Sequence, residues 1–179
     1  VLQVAADEPE EAILTLEDGL QQQPDEVRFL ELLAYLHLGR QDYAAALEAF
    51  ARAEKALDEQ KKQPVSGSFF LSYAFAQQAG GQYAAAADRL GQAMNRNPAF
   101  LDAYVQFAFR SRDTNHLDGC ARVLQELGTR SNAAATVLAY QGMLFNYREQ
   151  YADAIAAFER AEQRAREQEN ADELLGTTF

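Results

Sequence analysis

Any chemistry this chain performs has to come from a short list of residues. Cys120 is the one thiol among 179 residues, and His37 and His116 are the two imidazoles. Nucleophilic catalysis needs a thiol within reach of a base, and only His116 and Cys120, four apart in sequence, offer that pairing. Cys120, however, falls at a slot that is small in every copy of the repeated pattern described below. It therefore reads as a packing residue, a thiol acting as a small hydrophobe. A single cysteine also excludes an intramolecular disulfide and leaves a metal–thiolate cluster without ligands; it does not distinguish cytosol from periplasm. Asp113-Thr-Asn-His-Leu-Asp-Gly119 has the outline of a calcium loop, but the fifth and twelfth ligand positions are Leu117 and Leu124, where oxygen donors are required. A polar turn between helices explains it better. Gly80-Gly81 has no Lys-Ser/Thr beside it and no strand before it, as a phosphate-binding loop would need. The sequence thus predicts no enzyme, no metal and no cofactor.

Bulk properties narrow the partners. The chain is 48% hydrophobic and 24% charged, with a formal net charge of −11. That composition is globular, and a chain of this length buries about 70% of its unfolded surface. An acidic surface repels phosphodiester backbones and anionic lipid, so nucleic acid and membrane surfaces are poor partners. No apolar run approaches the roughly 20 residues that span a bilayer. A protein or peptide partner remains.

What must position any binding surface is a repeated unit. Tyr43-Ala-Ala-Ala-Leu-Glu-Ala-Phe-Ala-Arg-Ala53 returns as Tyr151-Ala-Asp-Ala-Ile-Ala-Ala-Phe-Glu-Arg-Ala161, identical at seven of eleven positions. Tyr83-Ala-Ala-Ala-Ala-Asp-Arg-Leu-Gly-Gln-Ala93 shares the rhythm. Aligned on Pro9, Tyr43, Tyr83, Leu117 and Tyr151, the copies are spaced by 34, 40, 34 and 34 residues. Three residues on stand Ala12, Ala46, Ala86, Cys120 and Ala154, all small. Seven on stand Leu16, Phe50, Leu90, Leu124 and Phe158, all large and apolar. Ten on stand Gly19, Ala53, Ala93, Leu127 and Ala161. These offsets place the slots on one helical face, where small residues let backbones approach and large ones fill the groove.

A second apolar helix precedes each copy, near 25–39, 67–79, 99–112 and 132–147. Gly39 and Gly80-Gly81 mark turns within the pairs, and Pro24, Pro64 and Pro98 mark turns between them. The pattern is a half repeat at 8–24, repeats at about 25–64, 65–98, 99–131 and 132–170, and the start of a further repeat at 171–179, all within one domain. The six extra residues in Asp58–Pro64 contain no breaker before the proline, so the sequence predicts a long helix over about 42–62. Residues 162–170 project similarly. The half repeat in front and the apolar restart at Leu174 suggest a piece of a longer array.

With its small–large–small register and 34-residue period, the chain resembles the tetratricopeptide repeat family. The favoured Gly of the first helix occurs once, at Gly142, with Ala34, Ala74 and Ala108 in the other repeats. The closing proline is missing after the third and fourth repeats. The resemblance implies an all-α fold, a right-handed α-solenoid of stacked antiparallel helix pairs whose first helices line a concave groove. Tyr35, Phe75, Phe109 and Met143 recur there, about 140° around each first helix from its first large apolar residue. They are candidates for an apolar groove floor, or for packing against the next first helix. Leu71, Gln78, Arg112 and Asn146 flank them, together with Arg28, Glu31, Asp102 and Val105. The Lys, Arg and Asn clamp with which the family's chaperone-tail binders grip a carboxylate is absent: its slots hold Glu31, Leu71, Val105 and Ala139, followed by the stripe itself. The expected function is a non-enzymatic protein-interaction module that binds a peptide or partner helix, as one segment of a larger bacterial scaffold or assembly protein. The alternative is a chaperone for an aggregation-prone secreted or membrane-assembly subunit.

Overall fold

The computed structural model describes residues 9–60, 68–110, 114–130 and 133–176. Among the described residues every regular element is helical: α1 (Pro9–Gln22), α2 (Val27–Gly39), α3 (Tyr43–Glu59), α4 (Ser68–Ala79), α5 (Tyr83–Arg96), α6 (Ala99–Arg110), α7 (Thr114–Gly128), α8 (Ala135–Tyr147) and α9 (Tyr151–Gly176). Three of the four aligned aromatics or leucines open a helix outright: Tyr43, Tyr83 and Tyr151 are each a first residue. The long helix expected over 42–62 runs Tyr43–Glu59, 17 residues against 14 in α5; residues 61–67 lie outside the described residues. At the other end, residues 171–176 continue α9 instead of opening a new helix. Ala171-Asp-Glu-Leu-Leu175 contains good helix formers and no breaker, so the 26-residue helix simply runs on.

The helices fall into two compact units, residues 1–100 and 101–179. In the first, α2 packs on α1 and α3, α3 on α4, and α4 on α5 and α2. This is a lone helix followed by two hairpins laid side by side in sequence order. In the second, α7 packs on α8, and α8 pairs with α9.

One turn design closes three hairpins. Gln41, Gly81 and Glu149, each two residues before the helix-opening tyrosine, take φ of 62°, 74° and 60°. The amide of the next residue reaches back five: Asp42 to the His37 carbonyl (2.9 Å), Gln82 to Gln77 (2.8 Å) and Gln150 to Phe145 (2.9 Å). This left-handed closure satisfies the orphan carbonyls of the first helix. Only Gly81 adopts it without the steric cost of a Cβ; Gln41 and Glu149 are held in it by the packing of the hairpins they join. After the first of these turns the Asp42 carboxylate accepts from the Ala45 amide (3.3 Å) and caps α3.

The slots inferred from sequence form the cores. In the first unit Ala46, Phe50, Ala53, Ala86, Leu90 and Ala93 are buried. Phe50 stacks on Tyr73 of α4 (5.0 Å) and meets Phe69 (5.4 Å) and Tyr35 (5.8 Å) edge-on. Arg89 of α5 forks onto the Glu54 carboxylate of α3 (2.7 Å) and lies over the Tyr73 ring (4.9 Å), so one guanidinium fastens three helices. In the second unit Cys120, Val123 and Leu124 are sealed. The last copy differs: Phe158 is 42% exposed where Phe50, Leu90 and Leu124 are at 0%. Its ring occupies the space a Cβ would need at Gly142, 2.7 Å away, which explains why this repeat alone carries glycine there.

Candidate functional site

In the first unit the expected stripe is drawn into packing. Tyr35 is half-buried with its ring edge on Phe50. Leu71 and Phe75 are half-buried. Gln78, expected beside the groove, is buried, because its face of α4 turns into the packing. Glu31 is buried too, with a hydrogen bond from the Tyr35 side chain and its Oε1 without a partner. Burial, working against the Tyr35 bond and the Arg28 charge, pushes the Glu31 carboxyl above its usual range. The folded state therefore holds this proton more tightly than the unfolded chain, a stabilisation present at low pH and lost as pH rises through the folded value. Glu31→Gln keeps the acceptor for Tyr35 and removes the charge. It should stabilise the chain by about 1 kcal/mol at pH 7, with the gain shrinking as the pH is lowered below 4.5, the ordinary carboxyl value; thermal melts across pH measure this.

In the second unit the first helices present an open apolar surface. Phe109 of α6 meets Tyr147 of α8 edge-to-face, with ring centroids 5.5 Å apart. Met143 is 44% exposed and Tyr147 63%, with Asn146 exposed between them. Met143, Asn146 and Tyr147 stand at spacings of three and four, so they share one face of α8. The Tyr140 hydroxyl donates to Asp102 Oδ1 (2.5 Å) and ties α8 to α6. Burial pushes that phenol up to about 12, and the bond to Asp102 and its charge push the same way. The structure thus brings Phe109, Met143 and Asn146 onto adjoining helices. Arg112 lies outside the described residues. Tyr147 and Tyr140 were missed in the sequence. Tyr147 was legible as the residue one turn beyond Met143; nothing in the sequence pairs Tyr140 with Asp102.

Cys120 is ill-suited to nucleophilic chemistry. It is fully buried, and that burial raises its thiol to about 12, with the Arg148 charge pulling it partly back. A thiol of that kind stays protonated, hence unreactive, at neutral pH. Among the described residues no three His, Cys, Asp or Glu side chains cluster as metal ligands would, and no helix is long and apolar enough to cross a membrane.

Neither a family model nor a curated protein matches the chain. Solved structures do. YrrB, described as a TPR protein with an unusual peptide-binding site, superposes with a TM-score of 0.56 at 18% identity over 89% of this chain and 79% of its own. MamA gives 0.51 at 15% identity over 88% and 89%. The C-terminal part of a TPR repeat-containing protein from Cytophaga hutchinsonii gives 0.51 at 16% identity over 86% and 58%. The fold is the tetratricopeptide-repeat fold. It is all-α, of the α-solenoid class. Within that fold, the slots where a carboxylate clamp would stand are closed here: Glu31 and Val105 are buried, and Leu71 is half-buried and apolar. The tetratricopeptide-repeat first helices of the second unit offer aromatic and thioether surface in its place.

Proposed function

We propose that the chain is a non-enzymatic protein-interaction module that takes an apolar peptide or a partner helix on the faces of its first helices. Phe109, Met143, Asn146 and Tyr147 form the floor in the second unit; Tyr35, Leu71 and Phe75 supply a shallower one in the first. The supporting observation is the exposure of Met143 and Tyr147 beside Phe109. Large apolar side chains left in water cost free energy that a partner recovers, and Met and Tyr are adaptable, contact-rich residues for that purpose. YrrB's peptide-binding site lends the reading its precedent on this fold. A scaffold role fits a folded or helical ligand, whereas a chaperone would hold its client unfolded.

Panning a random 12-residue peptide display library on the immobilised chain tests this. An apolar consensus should emerge, and Met143→Glu with Tyr147→Glu should weaken the consensus peptide by about 30-fold or more, with helicity unchanged by circular dichroism. Failure to enrich any consensus, or a consensus peptide that binds the double variant equally well, would overturn the reading.

A further inference from the structure

Arginines in this acidic chain gather in one place that the groove reading does not use. A cleft of about 590 Å³ opens between α7, α8 and the start of α9, lined by Asp118, Arg122, Gln125, Gln141, Arg148 and Arg160 among others. On α7 the residues 118, 122, 125 and 129 repeat at helical spacing, so they form one stripe along its wall. Leu144 and Phe145 of α8, with Ala121 opposite, supply the apolar lining. The volume lies within the range of small-molecule sites and is too small for a folded partner.

The cleft is rich in donors and poor in acceptors. Three guanidiniums bring five N–H groups each, while Asp118 is the one carboxylate in the lining. That carboxylate is already engaged by Arg148. Arg160 reaches only the Gly128 carbonyl, at 3.3 Å, which uses one of its donors. Gln141 crosses the floor to donate to the Leu124 carbonyl (2.6 Å). It can do so because residue 128 is glycine: a Cβ there would meet the Gln141 amide at 2.3 Å. The wall is therefore shaped, and its charge is +2 from three arginines and one aspartate, in a chain whose net charge is −11. A cationic pocket within an anionic surface focuses the field on the pocket, and guanidiniums are matched to oxyanions by their planar forks.

We propose that this cleft binds a small, multiply charged oxyanion, gripped by Arg122 and Arg160 from facing walls, with Arg148 held in place by Asp118 as the third cation. Phosphate esters and polycarboxylates share that chemistry, and the test separates them. Melting of the full chain is followed in 10 mM sodium pyrophosphate, in 10 mM sodium citrate and in sodium chloride of matched ionic strength. Pyrophosphate, citrate or both should raise Tm by about 2 °C or more over chloride, and whichever acts names the ligand class. Arg122→Gln should remove most of that rise, as should Arg160→Gln, while Lys55→Gln in the first unit leaves it intact. Because Arg160 also holds the Gly128 carbonyl, equilibrium dialysis of labelled pyrophosphate and citrate against Arg122→Gln, an exposed position on α7, provides a second readout. No rise above chloride in wild type overturns the proposal, and so does an equal rise in Arg122→Gln. Neither result bears on the Met143 and Tyr147 surface, whose peptide binding is measured separately.

Discussion

Phe50→Ala is expected to lower stability by about 3–5 kcal/mol, a large share of the roughly 5–15 kcal/mol that holds a domain of this kind folded. The ring is fully buried. It lies at the meeting point of three helices, stacked on Tyr73, edge-on to Phe69 of the same helix and to Tyr35 of its own hairpin. Losing it forfeits the transfer free energy of the side chain, perhaps half the total. The remainder comes from the cavity, because the neighbours are rings fixed by one another and collapse poorly. Three aromatic contacts, each worth about 0.5–1.5 kcal/mol beyond area, vanish together. Tyr73 would lose its stacking partner while Arg89 still holds it from the other side, so α4 is restrained from sliding in to fill the gap. Urea denaturation should show the midpoint falling with the slope little changed. A loss below 1 kcal/mol would mean that the seven-residue offset does not mark the core. Phe158→Ala, at the equivalent but 42% exposed slot, should cost much less, since water already reaches that ring.

Much of this fold was legible because it is written several times over. A hairpin with one greasy side buries it only against the next hairpin, so the same small and large slots recur at a fixed interval. Ala46, Ala86, Cys120 and Ala154 were found as small residues at one slot, and all are buried. What repeats can be averaged by eye; what occurs once cannot. Gln41 and Glu149 adopt the left-handed turn that Gly81 also adopts, but only the glycine carries a composition signal. The Tyr140–Asp102 bond and the three arginines of the α7–α9 cleft depend on the separation of particular helices, which a single sequence does not encode locally. Gln78 misled for a related reason. Helical phase says which residues share a face, but not how deeply the neighbouring helix covers it, and at Gln78 the cover is nearly complete. Met143 and Asn146 stand at equivalent phase and remain exposed. The candidate surface was therefore legible as a register and illegible as an exposure.

Ala86→Leu provides the complementary test, at the slot where size is forbidden instead of required. Ala86 is fully buried on α5, three residues after Tyr83 and four before Leu90, which is equally sealed. Leucine is at least as content in a helix as most residues, so propensity contributes only a few tenths of a kcal/mol. The three added carbons must therefore find room against a close-packed partner. Arg89, which follows Ala86 by three residues, is clamped to Glu54 and laid over Tyr73, so α5 cannot retreat without straining that contact. Overpacking of this kind costs about 1–3 kcal/mol. Ala84→Leu on the same helix supplies the control: Ala84 is exposed, and a leucine there should change stability by no more than about 0.5 kcal/mol. The two variants have the same composition and differ only in which side of α5 carries the leucine. A difference of 1 kcal/mol or more between their unfolding free energies would locate the close approach at the third residue after the tyrosine. Equal values would show that α5 packs loosely, and that the small slot reflects a preference for alanine in helices instead of a need for space between them.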